Sequence, residues 1–99
     1  MEIDQILEER GDRYGDFVVQ AIIAQNIKAA MKRSPNWEKM PRHMREALEM
    51  IASKMGRILN GDFGYIDSWV DVAGYAQLVI DQLESGRDRA DGVSMDHQS

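Results

Sequence analysis

The sequence predicts an all-α protein, with three long helices, a short N-terminal one, and a helical bundle completed by homo-oligomerisation. Three observations predict it. Apolar residues recur at helical spacing over 42–59 and again over 65–84. Pro35, Pro41, Gly61 and Gly64 fall between these periodic stretches rather than inside them. The third observation is the stretch 17–33, apolar on nearly every side, in a chain of only 99 residues. So short a chain buries roughly 60–65% of the surface its unfolded form exposes, and a second copy can cover the apolar faces left wet.

In chain order, residues 3–10 (IDQILEER) place Ile3, Ile6 and Leu7 on one side of a short amphipathic helix, which Gly11 ends. The stretch RGDRYGDF, residues 10–17, carries two glycines and two arginines around Tyr14 and reads as an ordered loop. Asp16 suits the N-cap of the next helix, because its carboxylate can accept from a free N–H of the first turn. That helix, 17–33, is expected to be the central one, since only a buried helix tolerates apolar residues all round. Lys32 and Arg33 complement the dipole at its end.

The segment SPNWEKMP breaks the chain and is expected to carry Trp37 back over the core. Pro41 then opens a helix running to about Leu59. At 100° per residue, Ala47, Leu48, Ile51, Ala52, Met55, Ile58 and Leu59 share one face of it, with Glu46, Glu49, Ser53 and Arg57 opposite. Asn60-Gly61-Asp62 terminates it, and Phe63-Gly64 completes the loop. The third long helix, 65–84, sets Trp69, Val72, Ala73, Ala76, Val79, Ile80 and Leu83 on one side. Asp67, Asp71, Gly74, Tyr75 and Leu78 form a second patch, and a glycine inside a helix implies close approach by something. Residues 1–84 thus make one domain. The polar tail 85–99 has almost no apolar content and is expected to be disordered.

Composition narrows the chemistry. The chain has no cysteine and two histidines, His43 and His97, so thiolate zinc and histidine-rich metal sites are out of reach. A net charge of −5 argues against a protein that wraps nucleic acid by neutralising phosphates. Met1 is followed by Glu2, Asp4, Glu8 and Glu9 with no apolar run, and no window resembles a membrane span, so the expected location is the cytoplasm.

The hairpin 42–84 gathers the side chains that can carry chemistry. Glu46 and Glu49 on one helix, with Asp67 and Asp71 on the next, are oxygen ligands at the spacing a Mg²⁺ site uses. Lys54 and Arg57 can meet phosphates. Counting back from the loop sets Arg57 level with Asp67 and Lys54 level with Asp71, so two cross-helix ion pairs explain the same residues. That count also brings Glu49 nearer to Tyr75 than to Asp71. Arg13 and Tyr14 could cradle an anion, Asn26 could meet a base from a buried helix, and Tyr75 could stack on one; a solvated or subunit-contacting turn is the better reading of the first two, and core packing the better reading of Asn26 and Tyr75.

Three patterns, I-L-E-E-R-G-x-R-Y-G-D-F, E-A-L-E-M-I-A-x-K-x-x-R-I-L-N-G-D and D-S-W-x-D-x-A-G-Y-A, span most of residues 6–80. Together they resemble a family of small tailed-phage proteins. More distantly, the second half resembles the all-α nucleoside triphosphate pyrophosphohydrolases of the MazG and dimeric dUTPase type. Those enzymes hold Mg²⁺ with an E-x-x-E helix followed by an E-x-x-D helix. Glu46 and Glu49 match the first pair and Asp71 the final acid, while Ser68 stands where the pattern has glutamate and Asp67 is one position earlier.

The resemblance implies a homo-oligomeric bundle with a nucleotide pocket near the subunit contact, working in the host cytoplasm if phage-encoded. The leading expectation is therefore a phage-type accessory protein of nucleotide metabolism, with Mg²⁺-dependent pyrophosphohydrolysis as its chemistry. The alternatives are a non-catalytic oligomer that sequesters a nucleotide or nucleotide signal, and a helical adaptor that inhibits a host protein.

Overall fold

The computed structural model describes residues 15–86, together with Ile3. The rest of the expected N-terminal helix, Arg13 and Tyr14, and the tail beyond Gly86 lie outside the described residues. Within them the chain is helical and contains no strand: α1 spans Phe17–Lys32, a single 3-10 turn spans Trp37–Lys39, α2 spans Arg42–Asn60 and α3 spans Ile66–Ser85. None of the described helices is long and apolar enough to cross a membrane.

The expected boundaries agree with these to within a residue or so, for local reasons. Asp16 caps α1, its Oδ1 accepting from the Val18 N–H at 2.7 Å. Ser34 Oγ donates to the Met31 carbonyl at 2.7 Å, closing the end of α1. Pro41 is the N-cap of α2 rather than its first helical residue. Arg45 Nε donates to the Met40 carbonyl at 2.9 Å and ties the preceding loop down. Gly86, with φ 81°, supplies the left-handed cap that ends α3.

The stacking order of the helices differs from the sequence expectation. The central helix is α2, which packs against both α1 and α3, while those two are not packed on each other. Asn60 Nδ2 donates to the Asp16 carbonyl at 2.8 Å, so α1 starts where α2 ends and runs antiparallel to it. The Lys54–Asp71 ion pair at 3.0 Å fixes α3 antiparallel on the other flank. On α2, Gly56, Ala52 and Asn60 point one way, towards α1. Ala47, Lys54 and Ile58 point the opposite way, towards α3. The described chain is therefore a single layer of three helices.

A single layer explains the thin core. Ala24, Trp37, Ala47, Ala52 and Ile58 are its buried apolar residues, and Trp37, only 5% exposed, is the one large side chain among them. Phe17, Val18, Val19 and Ile22 of α1 are all exposed. The all-round apolar pattern of α1 thus marks a helix with one side against α2 and, among the described residues, the remainder uncovered.

Two glycines hold the layer together by close approach. A Cβ on Gly56 would lie 2.9 Å from the Gln20 carbonyl oxygen and 3.3 Å from Ala24 Cβ, so the absence of a side chain is what lets α1 and α2 touch. Gly15 has φ 79°, and a Cβ there would collide with the Asn60 backbone. Gly15, Asp16 and Asn60 therefore form one joint between the start of α1 and the end of α2.

Candidate functional site

The two flanks of the layer differ chemically. On α2, Glu46 and Arg57 lie on one flank, and Leu48, Met55 and Leu59 on the other. On α3, Asp67, Asp71, Gly74 and Leu78 share the polar flank, while Trp69, Ala76, Ile80 and Leu83 share the apolar one.

The polar flank carries two adjoining grooves. One, of about 470 Å³, lies between α2 and α3 and is lined by His43, Glu46, Ala47, Tyr75, Leu78, Val79 and Gln82. The other, of about 420 Å³, is lined by Val70, Asp71, Gly74, Tyr75 and Leu78. Tyr75 and Leu78 form the wall between them. A Cβ built on Gly74 would meet nothing within 4 Å, so this glycine keeps the second groove open and is not imposed by helix packing among the described residues.

The four expected metal ligands are not drawn together. Among the described residues no group of three or more His, Asp or Glu is placed to hold a metal ion. Helical rise is the reason. Lys54 is level with Asp71, and eight residues back along α2 Glu46 lies about 12 Å lower, at 1.5 Å per residue, beside Val79 and Gln82. Glu49 turns towards the α1 side of α2. Asp67 accepts from the Tyr65 hydroxyl at 2.9 Å. Ser68, at the position where the enzyme pattern has glutamate, is only 4% exposed and sits against α2, where a carboxylate would be buried.

The expected pairing of Lys54 with Asp71 is present at 3.0 Å, with side chains 12% and 47% exposed. With Asp71 half in solvent, screening holds its worth to roughly 1 kcal/mol or less. Asn26 is exposed on α1, with α2 between it and Tyr75 of the same chain.

Sequence reasoning passed over His43 and Gln82, which sit with Tyr75 at the mouth of the larger groove. His43 is half-buried, with Nε2 out of solvent. No local spacing links His43 with Gln82. Only the antiparallel register set by Lys54 and Asp71 brings the start of α2 beside the end of α3.

Compared with protein-family models, curated proteins and solved structures, the chain matches none of them. The functional reading therefore rests on the grooves and on the charges around them.

Proposed function

We propose that the chain holds a nucleotide-class ligand along the polar flank, the base against Tyr75 between His43 and Gln82 and the phosphates towards Lys54 and Arg57. The observation that carries this reading is Tyr75 itself, a half-buried aromatic shared by two adjoining grooves. An aromatic face takes a base by stacking. The imidazole of His43, the amide of Gln82 and the carboxylate of Glu46 supply donors and acceptors over an apolar floor of Ala47, Leu78 and Val79. Lys54 is level with Asp71 in the adjoining groove, and Arg57 is one turn further along the same flank.

This keeps the nucleotide-handling role that the motif resemblance implies and favours holding over cleavage. What supports that preference is that Glu46 and Asp71 stand about 12 Å apart along the helices, at 1.5 Å per residue, instead of converging on one point.

The test is a thermal-shift panel of linear and cyclic nucleotides with and without Mg²⁺. A ligand bound at 100 times its Kd stabilises by about 2.7 kcal/mol. The expected result is a rise in Tm that is independent of Mg²⁺ and absent in Tyr75→Ala. A rise seen only with Mg²⁺ would favour the pyrophosphohydrolase chemistry instead. No rise with any nucleotide would sink the ligand reading and leave the helical adaptor.

A further inference from the structure

The flank opposite the grooves is apolar and open. Val19 of α1, Met55 and Leu59 of α2, and Trp69, Ile80 and Leu83 of α3 all lie on it and all are exposed, Leu59 at 64% and Trp69 at 52%. Their exposed parts amount to on the order of 500 Å² of apolar side-chain surface, a large share of the ~800 Å² per partner that a standard interface buries.

Charge then says what covers it. Since α1 and α3 both run antiparallel to α2, their C-terminal ends lie at the same end of the layer, and those ends carry opposite charge: Lys32 and Arg33 on α1, Asp81 and Glu84 on α3. The registers set by Asp16–Asn60 and Lys54–Asp71 bring Arg33 within about one turn of the level of Asp81 and Glu84. Arg33 and Glu84 both point to the outer edges of the layer, next to the apolar flank. Two identical layers meeting face to face do so about a two-fold axis parallel to the layer. If the axis runs across the helices, α3 lies antiparallel on α3, and Arg33 of each copy and Glu84 of the other lie at opposite corners of the assembly, unpaired. If it runs along the helices, α1 lies on the other copy's α3, and the basic and acidic ends meet twice.

We propose that the apolar flank is an interface with a second copy of this chain, related by a two-fold axis parallel to the helices. The assembly is a two-layer, six-helix homodimer in which α2 packs on α2 and Arg33 of each copy faces Glu84 of the other. This inference is independent of the ligand reading, because the grooves open on the opposite flank.

Sedimentation equilibrium on the full chain tests it. The expected mass is twice 11.3 kDa. Arg33→Glu and Glu84→Arg are each expected to raise the dimer Kd roughly tenfold, the effect of replacing two rim pairs by like charges, and the double reversal to return it to within about twofold. Leu59→Arg, at an exposed site, is expected to give a monomer with unchanged helical circular dichroism. A species of 11.3 kDa alone at high micromolar concentration overturns the proposal, whether another part of the chain covers the flank or nothing does. A double reversal more dissociated than either single variant overturns it as well.

Discussion

Trp37→Ala is expected to bring the protein close to global unfolding at room temperature. Removing a buried tryptophan costs about 3–5 kcal/mol, and small domains have only about 5–15 kcal/mol in total. Other cores share such a loss among several large side chains, but here the remaining buried apolar residues among the described ones are three alanines and Ile58. The short 3-10 turn Trp37–Lys39, which packs against α1, carries this buried ring. In thermal melts the expected loss is more than about 12 °C, at roughly 4–8 °C per kcal/mol for a domain of this size. Trp37→Phe, which keeps most of the apolar volume, is expected to lose less than half as much. Equal and small losses for both variants would show that the ring is not the centre of the core.

The second large effect is expected at Gly56. Valine there sets a Cβ 2.9 Å from the Gln20 carbonyl oxygen, a backbone atom that cannot rotate away, and adds two methyls against Ala24. The α1–α2 contact must then open along much of its length. Overpacking costs about 1–3 kcal/mol, and we expect the upper end of that range because the obstacle is backbone. Gly56→Ala is expected to be much milder, since a gain of about 1 kcal/mol in helix propensity offsets the smaller displacement. Urea titrations distinguish the two: a Val variant within about 1 kcal/mol of the Ala variant would mean that the helices have room to separate.

The sequence carried the helix boundaries and the amphipathic character of α2 because these are local properties. Asp16, Pro41, Gly61 and Gly86 act within a turn of where they stand. The stacking order of the helices was not legible. An apolar residue such as Val19 or Ile22 records that it is to be covered, not by what, so a pattern that reads as a central helix also fits an outer helix whose far side meets another molecule. The role of Gly56 was hidden for a similar reason, since its neighbour is Gln20, a residue distant in sequence.

Spacing misled most at the carboxylates. Glu46, Glu49 and Asp71 have the sequence pattern of a metal motif, but pattern fixes only positions along each helix. The register between helices decides what meets what, and that register aligns Asp71 with Lys54 and Glu46 with Val79. Tyr75 was legible as a candidate ligand contact because an aromatic beside an otherwise unexplained helical glycine is visible in one strand of text. Its companions His43 and Gln82 were not.

The single layer with one apolar flank is the feature on which the rest depends, and cysteine cross-linking tests it most directly. The chain has no cysteine, so each introduced thiol is the sole one. In the two-fold arrangement along the helices, α2 lies parallel to its copy at an interaxial distance of about 8–10 Å. Leu48 and Met55, two turns apart on the apolar flank, each then face their own counterpart, within reach of a disulfide that needs Cα atoms about 4.4–6.8 Å apart. Mild oxidation of Leu48→Cys and, separately, of Met55→Cys is predicted to give a covalent dimer in both cases, and Glu46→Cys on the polar flank is predicted to give none. Cross-linking at only one of the two apolar positions would mean antiparallel α2 helices, and cross-linking at Glu46→Cys in their place would put the interface on the wrong flank; either result contradicts the arrangement.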